Sequence, residues 1–404
     1  MRPHHHASST FAVLSLVALL ACTDQRGPTA PPRAALEAQN PLTAPPVDVP
    51  APAQGRYIFR HWTFGDEPFW TDTLLLNAVI EAAVSPATAL AVGLKVDAER
   101  LPPGFLASAD LTSPATTVEL LRRDAVVGVE ADVTADKHIK RLGITCALCH
   151  STVDNSVTAG VGRRVDGLPN SDLNVGAIVA LSPALPAAVK AVFNSWGPGK
   201  YDAEFNRDGI NSPVVIPPAL GLRNVALETY TAEGPVSYWN AYVAVTQMHG
   251  HGSFSDPALG ISIQQTPDRV TPVLPVLRAY QLSLDAPAPP AGSFDPAAAA
   301  RGQAVFTTTG RCASCHIPTM AFTDVNLGIL HAPSETGMDP VRANRLKNHK
   351  YRTTPLRALT RHAPYFHDGS AATLLAVVEH YNSFFGLGLS PQQKADLVEY
   401  LKSL

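Results

Sequence analysis

A mainly α-helical chain in two halves, with irregular stretches and a short β-hairpin in the first, is what this sequence predicts. Three observations carry that expectation. Two pentapeptides of one pattern, Cys146-Ala-Leu-Cys149-His150 and Cys312-Ala-Ser-Cys315-His316, stand more than 160 residues apart. Helix-capping residues and helical periodicity bracket the second pentapeptide. The length, 404 residues, suffices for two or three domains. Composition narrows the class further. Charged residues are 16 % of the chain and the formal net charge is −3, which excludes a basic nucleic-acid binder and an acidic disordered chain. Proline is abundant, at 36 residues, and should concentrate in linkers and irregular segments. Five cysteines are too few for a disulfide scaffold.

The first element is an address. Arg2, with His4, His5 and His6, gives a positive start, and Phe11 to Ala21 is apolar apart from Ser15. That run is too short to span a bilayer and reads as a secretory signal over 1–21. It ends in Leu19-Leu20-Ala21-Cys22, which resembles a bacterial lipobox, so Cys22 is expected to carry a lipid. An ordinary signal peptide with an incidental cysteine is the alternative. Residues 23–54 hold eight prolines and many alanines; such a composition suits an extended tether over 22–54. A periplasmic body held on a bacterial membrane as a lipoprotein follows.

The two pentapeptides are C-x-x-C-H, the attachment signal for c-type haem. Two thiols add to the haem vinyl groups, and the next imidazole reaches the iron as its fifth ligand. Cys146, Cys149, His150, Cys312, Cys315 and His316 are therefore the expected attachment and ligand residues of two covalent haems. Paired C-x-x-C can also make a zinc site of four cysteines, but zinc gives no reason for so wide a separation or for a histidine after each pair. A redox dithiol needs one motif and no histidine. With Cys22 lipidated, no cysteine remains for a disulfide.

The other elements fall around these motifs. Leu74, Leu75, Ala78, Val79 and Ala82 predict an amphipathic helix over 71–84. Val127 to Val133 alternates, and Arg141 to Thr145 leads into Cys146, which predicts a hairpin in place of a leading helix. Trp239, Tyr242 and Val243 share a helical face that ends at the glycine-rich stretch around His249 and His251. A proline-rich run at 286–292 marks the boundary between an N-terminal domain, 55–285, and a C-terminal domain, 286–404. In the latter, Asp295 caps a helix with Pro296 at its first position. Gly302 and Phe306 share one face of it. Ser390-Pro391-Gln392-Gln393 forms a capping box, and Leu397, Tyr400, Leu401 and Leu404 make an apolar stripe. That arrangement resembles a class I cytochrome c domain, in which the two terminal helices cross and the glycine lets their backbones approach. No internal repeat beyond the two motifs is evident.

Thr353-Thr354-Pro355-Leu356-Arg357, then Pro364 to Gly369 reading P-Y-F-H-D-G, then Thr373-Leu374 and Val377-Val378, resemble the bacterial di-haem cytochrome c peroxidase and MauG family. The likeness is good over 285–404, weaker over 140–255 and absent from 55–135. It implies two cytochrome c-like haem domains facing each other, the first handling peroxide and the second relaying electrons. It also implies a tryptophan between the haems with a glutamine some ten residues later; Trp239 and Gln247 match that order with a two-residue shortfall. Peroxide cleavage needs a proton-moving base, and His249 and His251 are the candidates, as base or as sixth ligand. A calcium between the domains, if present, would take Asn174 and the carbonyls of Thr353 and Pro355; a capping role for Asn174 is the alternative.

The second haem's sixth ligand is open. No methionine follows Met338. Leu374, Val377, Val378 and Tyr381 form one helical face, with His380 turned about 100° away. The family carries a ligand at the position of Tyr381, which could also be a core aromatic; His367 is its rival. The expected activity is a peroxidase-type oxidoreductase, reducing hydrogen peroxide with electrons from a small donor protein, a cytochrome c or a cupredoxin. A pure electron carrier and a MauG-like oxidase of a protein or organic substrate, with 55–135 building its pocket, are the alternatives. A homodimer is a possible assembly, the membrane is met through the anchor only, and no nucleic-acid partner is expected. The anchor reading predicts that Cys22→Ser moves the protein from the membrane fraction to the soluble periplasm. A wild-type protein already soluble there would make the leader an ordinary one.

Overall fold

The computed structural model describes residues 51–404. The signal, Cys22 and most of the expected tether lie outside the described residues. No helix among the described residues is long and apolar enough to cross a membrane. The fold is mixed, helices joined by irregular segments and short two-stranded ladders, so the mainly helical expectation holds only in part.

The chain enters on helix α1, Ala51–His61, so the last four residues assigned to the tether are helical. Composition misled there: alanine is the best helix former, and proline is tolerated in a helix's first turn. After α1 comes a π-helical turn, Phe69–Thr73, and then helix α2, Leu76–Ala83. The single helix expected over 71–84 is thus broken. Leu75 sits in the left-handed region at φ 57° and is 41 % exposed, while Leu74 and Leu76 are buried. Helices α3, Pro86–Ala91, and α4, Pro114–Arg122, follow. Strands β1, Val129–Val133, and β2, Ile139–Ile144, pair antiparallel as the hairpin that leads into Cys146. After the first motif come α5, Val175–Ala180, α6, Ala187–Asn194, α7, Val236–Thr246, and α8, Leu274–Ser283. The C-terminal half holds α9, Pro296–Thr307, α10, Leu374–Phe384, and α11, Pro391–Lys402. Its caps form as expected: Asp295 accepts from Ala297 N at 2.8 Å, and Ser390 and Gln393 make the capping box.

The two halves repeat one packing unit. In the second, α9 crosses α11 at Gly302, where any Cβ would sit closer than 3.0 Å to Asp396 O and to the Tyr400 side chain. Phe306, one turn on, meets Tyr400 edge to face at 5.2 Å. In the first, α1 crosses α8 at Gly55, where a Cβ would collide with Val276 O and Tyr280. Phe59, one turn on, meets Tyr280 at 5.5 Å. The sequence therefore holds a repeat beyond the motifs, G-x-x-x-F on an opening helix with a tyrosine on a closing one. The leading helix exists in both halves. In the first it is parted from its motif by the insertion 62–145, whose Leu74, Leu76, Val118, Leu121 and Leu142 build a second core cluster together with Leu148 and Leu173.

Buried arginines of the 340–352 segment join the halves. Arg345 pairs with Asp202 at 2.8 Å and Asp208 at 2.7 Å. Arg342, fully buried, pairs with Glu204. Arg352 donates to the Thr229 carbonyl at 2.7 Å and the Glu228 carbonyl at 3.0 Å. Because each glycine crossing leaves no room for a side chain, Gly55→Val and Gly302→Val should each lower stability by about 1–3 kcal/mol. Denaturant midpoints unchanged from wild type would show that the helices do not meet this closely.

Candidate functional site

Local structure aims both motifs in one way. Strand β2 is pinned at its end by Asp66, whose carboxylate accepts from Ile144 N at 3.2 Å. Thr145 then caps the turn Cys146–His150, accepting from Ala147 N, and ties it to α1 by donating to the Arg60 carbonyl at 3.0 Å. His150 Nδ1 lies 3.0 Å from the Pro217 carbonyl. At the second motif, Arg311 turns the chain through the left-handed region into the helical turn Cys312–Ser314. His316 Nδ1 lies 3.1 Å from the Phe322 carbonyl. A carbonyl only accepts, so in each imidazole Nδ1 carries the proton and Nε2 keeps its lone pair for a metal. Burial keeps both rings neutral: it holds His150 down to about 4 and lowers His316.

The four thiols are free of disulfides. Burial pushes Cys146 and Cys149 up to about 12 and Cys312 to about 11. They are neutral thiols, in contrast to the low-pKa cysteines of redox dithiols. Nor do the pairs gather into a zinc site of four cysteines. Among the described residues the grouping with metal-ligand spacing at a motif is Cys315, Asp324 and His331, and there His331 is spent on Asp324 at 2.8 Å and Glu335 at 3.1 Å. Two thiols per motif, an imidazole with Nε2 presented, and at the first motif a cavity of about 1360 Å³ lined by Cys146, Cys149 and His150 together fit a covalently attached haem.

The same cavity gathers three of the four residues expected at the first haem. Trp239, Gln247 and His249 line it; His251 does not. His251 Nδ1 bonds the Pro267 carbonyl at 2.7 Å. His249 is held at φ 63°, and its ring stacks on Phe69 with centroids 3.6 Å apart. Its imidazole makes no hydrogen bond among the described residues. The ring is exposed to the cavity but enclosed by protein, and that burial holds it down to about 4. Trp70 fixes the adjoining loop, its indole N–H lying 3.1 Å from Asp66 and 3.2 Å from the Met248 carbonyl. The Gln247 carboxamide is already engaged: its oxygen accepts from the Tyr201 hydroxyl, and its nitrogen donates to Thr246 at 3.0 Å and Asn206 at 3.2 Å. Tyr201, also on the cavity wall, was not legible in the sequence, because its partner lies 46 residues away. Trp239 links the halves: the Arg342 guanidinium lies 5.7 Å from its ring centroid.

At the second motif, Tyr381 stands near enough to Cys312 and Cys315 for their charge to add to burial in pushing it up to about 12. Its hydroxyl has no hydrogen-bond partner among the described residues. The rival is occupied: His367 Nε2 meets the Tyr351 hydroxyl at 3.2 Å. His380 is turned to the Thr336 carbonyl at 2.9 Å. Two of the three residues considered for calcium have other partners. Asn174 caps α5, accepting from Ala177 N at 3.0 Å, and the Thr353 carbonyl accepts from Thr323 at 2.7 Å. Pro355 is half-buried.

No protein-family profile matches the chain. It is similar to the methylamine utilization protein MauG of Methylophilus methylotrophus, 31 % identical over 122 residues, which is 26 % of this chain and 36 % of the relative. It is likewise similar to MauG of Methylorubrum extorquens, 30 % identical over 129 residues, 26 % of this chain and 34 % of the relative. The matched stretch thus spans about a third of these curated relatives. The likeness to the MauG and di-haem cytochrome c peroxidase family holds over that stretch. Among solved structures, a Kuenenia stuttgartiensis hydrazine synthase is 21 % identical, with 48 % of this chain and 73 % of that one covered and a TM-score of 0.33. A MauG-like protein associated with microbial copper homeostasis is 20 % identical, with 34 % and 55 % covered and a TM-score of 0.26.

The free Tyr381 hydroxyl beside Cys312 and Cys315 makes it the expected sixth ligand of a haem there. Tyr381→Phe keeps the ring's packing volume and removes the oxygen, so it should alter the ferric spectrum and raise the potential of one haem only. Unchanged spectrum and potentials would make Tyr381 a core aromatic.

Proposed function

We propose that this chain is a periplasmic, lipid-anchored di-haem c-type oxidoreductase that reduces hydrogen peroxide to water with electrons from a small donor protein. The observation that carries the proposal is the pair of C-x-x-C-H motifs whose histidines, His150 and His316, each give Nδ1 to a backbone carbonyl and keep Nε2 for iron. Bound haem supplies one-electron chemistry and a coordination position for peroxide.

The chain's own residues do the rest. His150 holds its ligand nitrogen in one tautomer and orientation. His249, a neutral imidazole on the same cavity, takes a proton from one peroxide oxygen and returns it to the other. Overall, hydrogen peroxide, two electrons and two protons give two waters. The Tyr201–Gln247 pair forms a fixed polar wall beside it. Trp239, under Arg342 of the C-terminal half, is one of the cavity side chains through which the first site meets the second half, together with Asp202 and Tyr230. A MauG-like oxidation of a protein or organic substrate is the second reading, favoured by the free tyrosine hydroxyl at position 381.

Denaturing mass spectrometry should find two haem masses on the mature chain, and Cys312→Ala with Cys315→Ala should remove one. The ferric spectrum should carry a high-spin band that shifts with azide. No haem in a host with c-type maturation would overturn the whole assignment; two haems without an azide response would leave an electron carrier. His249→Phe should slow peroxide reduction by roughly 100- to 10,000-fold with both haems retained. Burial holds His249 near 4, below the free imidazole's usual 6.5. Its basic form therefore survives through the mildly acid range, and the acid limb of the rate profile should fall near pH 4, not near 6.5.

A further inference from the structure

Two parts of the first site come from distant stretches of chain. The turn that carries Cys146, Cys149 and His150 follows strand β2, whereas His249 stands on the loop after α7. Their mutual position has to be set by something that touches both.

The first residues of the insertion do so. On one side they hold β2. Thr71 accepts from Leu142 N at 2.9 Å and donates to the Leu142 carbonyl at 3.3 Å. The Asp66 carboxylate accepts from Ile144 N at 3.2 Å, two residues before Cys146. On the other side they hold the loop 248–251. The Trp70 indole N–H reaches the Met248 carbonyl at 3.2 Å. The Phe69 ring stacks on His249. The Phe64 carbonyl accepts from His251 N at 2.8 Å.

Asp66 joins the two sides. Its Oδ2 accepts from Ile144 N and, at 3.1 Å, from the same Trp70 N–H that reaches Met248. The path Ile144–Asp66–Trp70–Met248 therefore begins two residues from Cys146 and ends one residue from His249. Asp66 and Trp70 are both buried, and buried hydrogen bonds are costly to leave unmade, so a shift on one side is resisted from the other. The loop needs such support. His249 sits in the left-handed region at φ 63°, a conformation that persists in a non-glycine residue only where its surroundings impose it.

We propose that Asp66, acting through the Trp70 indole, is the positioning residue that keeps the His249 imidazole at a fixed place relative to the turn of the first motif. Its importance for the reaction rests on the proposed role of His249 as the proton-moving base; the contacts do not.

The haem-loaded protein carries the test. Trp70→Phe removes the N–H and keeps an aromatic ring in place. It should slow peroxide reduction about 10- to 100-fold with two haems retained. Burial is what holds His249 down to about 4, so water reaching a loosened ring should carry the acid limb of the rate profile up toward the free imidazole's 6.5. Asp66→Leu should act in the same way, and it bears the same comparisons should Trp70→Phe not fold. Asp66→Asn, which keeps an acceptor oxygen, should restore most of the rate. In the His249→Phe chain, Trp70→Phe should add no further slowing. A second readout needs no turnover. Diethyl pyrocarbonate, which acylates neutral accessible imidazoles, should label His249 faster in Trp70→Phe than in wild type, with His251 unchanged.

The proposal is overturned if Trp70→Phe keeps the wild-type rate, profile and labelling, if it slows the His249→Phe chain as much as wild type, or if Asp66→Asn is as slow as Asp66→Leu. The two readings fail separately. A His249→Phe chain as fast as wild type sinks the base assignment, and the labelling of His249 then decides alone whether Asp66 and Trp70 hold the loop.

Discussion

Both halves depend on one close approach of helix backbones. At Gly55 against Val276 and at Gly302 against Asp396 there is no space for a Cβ, and the phenylalanine one turn further on closes each crossing against a tyrosine ring. Glycine costs a helix up to about 1 kcal/mol relative to alanine, a cost that the dispersion contacts of two touching backbones offset. The crossings also set where the motifs can be. In the second half α9 runs through one short turn into Cys312. In the first, the Arg60 carbonyl at the end of α1 receives the Thr145 hydroxyl, so the first motif is moored to its opening helix across 85 residues of chain. The insertion lengthens the path without moving its destination.

On that frame the decisive detail is small. A histidine next to a C-x-x-C can point either ring nitrogen at a metal. The Pro217 and Phe322 carbonyls settle the choice identically in two unrelated loops. A backbone carbonyl cannot rotate its acceptor away or take up a proton, so the tautomer is held as long as the loop is held. Burial works in the same direction, since desolvation disfavours the protonated imidazole at both sites. The first motif's thiols, pushed up by the same burial, are poor metal thiolates and suited to thioether attachment.

What the sequence showed and what it hid divide by range. The motifs, the Asp295 and Ser390 caps, the hairpin before Cys146 and the faces of α9 and α11 are local patterns, and all were legible. Leu75 broke a helix that periodicity alone had made continuous, because periodicity does not register a single left-handed residue. Alanine and proline at 51–53 read as tether because composition alone does not distinguish a helix start from a linker. The G-x-x-x-F repeat was present but is too short to stand out until three-dimensional packing pairs it with Tyr280 and Tyr400. Choices among site residues were beyond local reading altogether. His249 and His251 are two residues apart, and what separates them is a ring stack on Phe69 and a bond to Pro267. Tyr381 and His367 are separated by Tyr351, which occupies one and leaves the other free.

The orientation of the halves follows from charge. An apolar interface tolerates sliding, since one aliphatic contact replaces another. Here the 340–352 segment brings Arg342, Arg345 and Arg352 onto Glu204, Asp202, Asp208 and the carbonyls of Glu228 and Thr229. A shift of one residue would strand buried charges without partners, and removing one member of such a pair costs about 3–5 kcal/mol. In the observed docking Arg345 meets two carboxylates, Arg342 meets Glu204, and Arg352 meets two backbone carbonyls. In that docking the guanidinium of Arg342 lies over Trp239 and Arg345 pairs with Asp202, both on the cavity wall of the first half. A cation on an indole face makes the ring harder to oxidise, by simple Coulomb attraction for its electrons. The contact that aligns the halves is therefore also one that sets the electronic character of the wall between them.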